Sequence, residues 1–118
     1  MKWVRVLADA ALAEGERRVM DVQGRSIALI RHGGELFAIS AKCSHLGGPL
    51  HKGKISDGHI IECPWHHSKF DLRTGEVVEW VTWPPVANVV LGAISSEKRL
   101  TVYPTRVQDG QIEVGIEG

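Results

Sequence analysis

Cys43-Ser44-His45-Leu46-Gly47-Gly48-Pro49-Leu50, followed further along by Cys63-Pro64-Trp65-His66-His67-Ser68-Lys69-Phe70, is the stretch on which the reading of this chain turns. Its two cysteines are the only ones in 118 residues. Each has a histidine two or three positions downstream, and residues 46–62 separate the two pairs. A plain disulfide needs no such neighbours. Thiolate sulfur is a soft, charged ligand suited to iron-sulfur clusters and zinc, whereas neutral imidazole suits zinc, iron and copper. Two of each, on two short loops bounded by glycine or proline, read as a metal site with Cys43, His45, Cys63 and His66 as candidate ligands.

Working outward, the flanks consist of short β-branched runs and turn signals. Trp3 to Leu7, Arg17 to Val22, Ser26 to Arg31 and Leu36 to Ile39 are predicted strands, joined by tight turns at Gln23-Gly24 and His32-Gly33-Gly34-Glu35. Ala8 to Gly15, with a possible cap at Asp9 and a glycine stop, predicts one or two helical turns. Beyond the first cysteine loop, Ile60-Ile61-Glu62, Lys69 to Leu72 and Glu76 to Val78 predict a small antiparallel sheet. Asp57-Gly58, Thr74-Gly75 and Asp109-Gly110 are turn signals. Leu100 to Tyr103, Thr105 to Gln108 and Gln111 to Gly115 supply two or three strands that can return to the first sheet.

The sum is one all-β domain spanning residues 1–118, an antiparallel sandwich or barrel base with a small subdomain inserted from about residue 41 to about residue 78. At 118 residues and 43% apolar content the chain is long enough for one core and too short for two ordinary ones. Trp80 to Lys98 fits least well, because Pro84-Pro85 block helix and central strand while Val89 to Leu91 is apolar. It is expected either to fold as a loop over something or to cover the core as an edge strand and surface loop.

With these residues in view, the chain resembles the Rieske-type 2Fe-2S ferredoxin family, loosely over its whole length and closely over residues 36–78. The motifs that carry the resemblance are Cys43 through Leu50 and Cys63 through Gly75. It implies one cluster in which Cys43 and Cys63 hold one iron and His45 and His66 the other. Each loop then delivers one ligand to each iron, which short Cys-to-His spacings allow. Cys-x-x-His is the family form, so His66 is the implied ligand. His67 stands where many members carry glycine, and is expected to face solvent or bond locally. Members resembling the respiratory bc complexes have a further cysteine in each loop, joined as a disulfide. Gly48 and Trp65 occupy those positions here, which puts the chain with the soluble members that lack it.

The resemblance also bears on the potential. Ser68 matches a serine whose hydroxyl bonds a bridging sulfide in high-potential members, with a loop-capping serine as the competing reading. Phe70 replaces a tyrosine that bonds a cysteine sulfur. A donor to cluster sulfur favours the more negative reduced state, so one donor where two are possible implies the low or middle part of a Rieske range of about −150 to +300 mV. Trp65 is expected to shield the cluster, Trp3 and Trp80 to pack, and Trp83 to cap the site or pack on the base sheet. His51 is expected to line the first loop, and His32 and His59 to lie on the surface.

Two other readings of the ligands stay open. Two Cys and two His are a legitimate tetrahedral zinc set, although common fingers space them Cys-x-x-Cys and His-x(3 to 5)-His. A Cys43 to Cys63 disulfide conflicts with a reducing compartment.

For function, the resemblance implies a one-electron carrier with no catalytic residue, an electron-transfer component of an oxidoreductase system and not an enzyme by itself. Its redox protein partners would be a flavin reductase and an oxygenase. Alternatively it is a small Rieske subunit of a larger reductase, such as assimilatory nitrite reductase, with a zinc-binding interaction module as the outsider. No His/His/carboxylate set follows residue 67, and the length leaves no second domain for a complete oxygenase. Lys plus Arg and Asp plus Glu number 14 each, so charge points to neither nucleic acid nor membrane. The first residues, Met1-Lys2-Trp3-Val4-Arg5, are not followed by a secretory apolar stretch, and a cytoplasmic location is expected.

Overall fold

Ile27-Ala28-Leu29-Ile30 is apolar at four consecutive positions, and because strand side chains alternate, such a run is satisfied only where both faces of a sheet are covered. The computed structural model, which describes residues 1–41, 50–64, 68–79 and 99–117, puts this run at the centre of the protein. The strands are β1 (Lys2–Ala8), β2 (Arg17–Val22), β3 (Arg25–His32), β4 (Glu35–Ser40), β5 (Lys54–Ser56), β6 (Ile60–Glu62), β7 (Lys69–Asp71), β8 (Val77–Glu79), β9 (Val102–Tyr103), β10 (Thr105–Gln108) and β11 (Gln111–Ile116). They form three sheets, ordered β1-β11-β10, β2-β3-β4-β9 and β5-β6-β7-β8. Every ladder is antiparallel.

The sheet containing β3 separates two apolar clusters. Ala28 and Ile30, with Phe37 and Ile39 of β4, face a cluster completed by Leu50, Ile61, Cys63, Phe70, Leu72 and Leu100. Ile27 and Leu29, with Ala38, face a second cluster completed by Leu12, Ile112, Val114 and Ile116. The first joins the middle sheet to β5–β8, and the second joins it to β1-β11-β10. Burying aliphatic side chains on both faces, at about 1.5–3 kcal/mol each, fixes this sheet between the other two.

Turn chemistry sets the hairpin registers. Gln23-Gly24, Gly33-Gly34 and Asp109-Gly110 take positive φ at both positions and close two-residue hairpins, β2–β3, β3–β4 and β10–β11. On the outer face of β11, the largely buried Glu113 stands between its cross-strand neighbours Arg5 and Arg106, with N···O distances of 3.5 and 2.6 Å. The Arg106 guanidinium lies 4.3 Å from the centroid of the Trp3 ring, a cation–π contact that gives Trp3 the packing role expected of it.

Most predicted strands are present, with four differences. The predicted helical segment is a single 3-10 turn, Asp9–Ala11. Asp9 does not cap it: its carboxylate pairs with Arg31, which the charge opposite it on β3 favours over a local bond. β5 was not among the predicted strands, although Lys54-Ile55-Ser56 before Asp57-Gly58 alternates as a hairpin arm does. His32 and His59 are half-buried, not surface residues. His59 accepts this position because its Nδ1 lies 2.7 Å from the Asp57 carbonyl and its Nε2 lies 3.9 Å from the Asp71 carboxylate. Among the described residues no helix is long and apolar enough to cross a membrane.

Candidate metal centre

Four residues bound the two cysteine-bearing loops, and all four are buried: Ala41 and Leu50 on either side of residues 42–49, Cys63 and Ser68 on either side of residues 64–67. Ala41, Leu50 and Cys63 belong to the same apolar cluster, over fully buried Phe70 and Ile61. The first segment therefore starts and finishes on the same hydrophobic floor from which the second starts. Cys43, His45, Trp65, His66, His67, Trp80 and Trp83, on which other expectations fall, lie outside the described residues.

The second loop is the tip of the β6–β7 hairpin. Ile61 stands opposite Phe70 and Glu62 opposite Lys69, with 3.8 Å between the Glu62 and Lys69 charges. One rung further, the Cys63 N–H donates to the Ser68 carbonyl at 2.8 Å. The hairpin thus holds Cys63 and Ser68 side by side. Exposure changes abruptly after that rung, from fully buried Cys63 to exposed Pro64.

The first loop is tied at its far end. Leu50–Lys52 forms a 3-10 turn, and the Gly53 N–H donates to the Leu50 carbonyl at 2.9 Å. The His51 Nδ1 lies 3.4 Å from the Ala41 carbonyl, joining the two ends of the loop when Nδ1 carries the proton. His51 thus bridges the described ends of the first loop. Gly53 packs directly against β6: a Cβ there would fall 2.1 Å from the Glu62 carbonyl oxygen. This contact joins the residue after the 3-10 turn to the residue before Cys63.

Two further ties orient the β5–β8 sheet. Arg73 makes a two-pronged ion pair with Glu35, its Nε 3.1 Å from Oε2 and its Nη2 on Oε1, linking the turn after β7 to the start of β4. The Arg73 guanidinium holds the Glu35 carboxyl below its ordinary pKa. At Gly75, an added Cβ would lie 2.1 Å from the Leu100 carbonyl oxygen, and the Leu100 N–H donates to the Gly75 carbonyl at 2.8 Å.

Sequence reasoning did not single out Arg17, whose Nη1 donates to the carbonyls of His51, at 2.9 Å, and of Gly53. No local signal could have found this contact, because its partners lie 34 and 36 residues away. Gly53 was legible only as an isolated glycine between two lysines.

A Rieske [2Fe-2S] domain model matches residues 2–104 of the chain. The anthranilate 1,2-dioxygenase ferredoxin subunit of Burkholderia cepacia is 37% identical over 92 residues, covering 78% of this chain and 71% of that protein. The ferredoxin component of the p-cumate 2,3-dioxygenase system of Pseudomonas putida is 33% identical over 114 residues, covering 96% of this chain and 85% of the relative. Among solved structures, the ferredoxin of carbazole 1,9a-dioxygenase from Nocardioides aromaticivorans IC177 superposes with a TM-score of 0.75 at 28% identity, covering 99% of this chain and all of that one.

Proposed function

The chain belongs to the Rieske 2Fe-2S family, and we propose that it is the ferredoxin component of an oxygenase system, carrying single electrons from a flavin reductase to the oxygenase. Support comes from relatives that are separate ferredoxin components of dioxygenase systems and that align over most of their own length. The substrate class of the oxygenase is taken to be aromatic, in keeping with the anthranilate and p-cumate systems to which these relatives belong.

The observation that carries the reading is the shared floor beneath the two loops. Cys43 and Cys63 are proposed to hold one iron, and His45 and His66 the other. The described residues suit such a group. Fully buried Cys63, among Ile61, Phe70 and Leu50, keeps water from the cysteine side, while Pro64, the next residue, is exposed on the side where a partner protein is proposed to dock. A 2Fe-2S cluster bound there supplies reversible one-electron chemistry. The chain's own part is to orient the ligands, exclude water and present an edge to partners.

The proposed organisation is one domain over residues 1–118 with a cluster-bearing subdomain at about 41–78, supported by the β5–β8 sheet, whose strands, among the described residues, pair only with one another. The proposed location is the cytoplasm, whose reducing poise keeps both thiols available as ligands.

Alanine substitution tests the assignment. Cys43→Ala, His45→Ala, Cys63→Ala and His66→Ala should each purify without stoichiometric iron and acid-labile sulfide, whereas His67→Ala should retain both. Full cluster content in His66→Ala with loss in His67→Ala would transfer the ligand role to His67.

A further inference from the structure

We propose that Arg17 is a positioning residue for the cluster, fixing the two ligand loops relative to each other and favouring the reduced state with its charge. The inference rests on the electron-carrier reading above. Arg17 opens β2, the edge strand of the middle sheet, and lies far in sequence from either loop. Its guanidinium crosses to the 3-10 turn that ends the first loop and donates to the carbonyls of His51 and Gly53.

Both acceptors are junctions. The His51 ring meets the Ala41 carbonyl at the start of the same loop, and Gly53 abuts the Glu62 carbonyl immediately before Cys63. One side chain on the middle sheet therefore ties together the described ends from which the two loops depart. The planar fork suits this task, because the two N–H bonds of Nη1 are fixed in the plane of the guanidinium and restrain two carbonyls at once, whereas the N–H bonds of an ammonium rotate on a flexible stem.

The charge has a second effect. Although Arg17 is exposed as a whole, its bond to the Gly53 carbonyl is partly buried, and that burial lowers the guanidinium pKa from the ordinary value. A positive charge so placed is screened less than one in bulk solvent and opposes loss of an added electron nearby.

The experiment compares wild type, Arg17→Lys and Arg17→Gln by protein-film voltammetry, by the electron paramagnetic resonance spectrum of the reduced protein, and by the rate of cluster loss on warming. Arg17→Gln should have a lower potential, by up to a roughly tenfold change in the reduced-to-oxidised ratio, about 59 mV for one electron. It should also show shifted or broadened g-values and several-fold faster cluster loss. Arg17→Lys should recover most of the potential, since it keeps the charge, while retaining the altered spectrum, since it loses the fork. Unchanged potential and g-values in both variants overturn the proposal, whatever happens to cluster retention. If Arg17→Gln fails to fold, Arg17→Lys decides: a wild-type spectrum in it overturns the positioning role. A wild-type protein without iron, by contrast, would defeat the electron-carrier reading and not this one alone.

Discussion

The Cys63 N–H donates to the Ser68 carbonyl at 2.8 Å, so a proposed iron ligand and the buried serine five residues later occupy the last rung of one hairpin. Ser68 is thereby held beside Cys63, and its hydroxyl is proposed to bond a bridging sulfide. Removing that hydroxyl should lower the reduction potential. A net hydrogen-bond contribution of about 1 kcal/mol corresponds to roughly 40 mV for one electron, and Ser68→Ala should fall by about that amount in voltammetry with its far-ultraviolet circular dichroism unchanged. An unchanged potential would make Ser68 a loop-capping residue only.

Phe70 supplies the complementary experiment. It is fully buried one residue past Lys69 and stands opposite Ile61. Phe70→Tyr adds a hydroxyl that a buried site tolerates only with a partner, and the implied partner is a cysteine sulfur. The expected outcome is a potential above that of wild type. Phe70→Ala should instead cost about 3–5 kcal/mol in denaturant unfolding, because it empties the floor on which both loops stand.

Gly53→Ala tests the junction between the loops. Its Cβ would meet a backbone oxygen, which cannot swing aside as a flexible side chain can. Backbone displacement of this kind costs about 1–3 kcal/mol or more. Faster cluster loss should accompany lower unfolding stability, whereas Gly58→Ala, with open space around its Cβ, should show only the strain of its positive φ.

Acid should weaken two ties by the same linkage. Gly34 and Gly33 N–H groups hold the Glu14 carboxyl below its ordinary pKa, and Arg73 does so for Glu35. A carboxyl whose folded pKa is depressed contributes stability that is fully present above its unfolded value, about 4.3, and lost as pH falls through the folded value. Wild type should therefore melt at a higher temperature than Glu35→Gln at neutral pH, and the gap should close toward pH 3. Melting curves that stay parallel through the acid range would contradict this.

The sequence made the strands and the ligands legible for different reasons. The two-residue turns at Gln23-Gly24 and Asp109-Gly110 are local chemistry, so their hairpins could be placed directly. The run Ile27-Ala28-Leu29-Ile30 announced a strand without saying that a sheet covers each of its faces, because period alone does not report which partner lies on which side. The candidate ligands stood out because cysteine and histidine at those spacings have few structural uses. Arg17 and Gly53, the residues that set the loops on the frame, were not visible, since each acts through backbone atoms of segments remote in sequence or across a neighbouring strand. Asp9 was misread because a cap and a long-range ion pair look identical in sequence.

The central claim is that Cys43, His45, Cys63 and His66 hold a Rieske 2Fe-2S cluster. Its most direct test is the electron paramagnetic resonance spectrum of the dithionite-reduced protein, with iron and acid-labile sulfide measured on the same sample. The expected sample is a reddish protein with two irons and two sulfides per chain, and a signal whose average g lies below that of all-cysteine clusters. A colourless protein with stoichiometric zinc and no signal on reduction would contradict it.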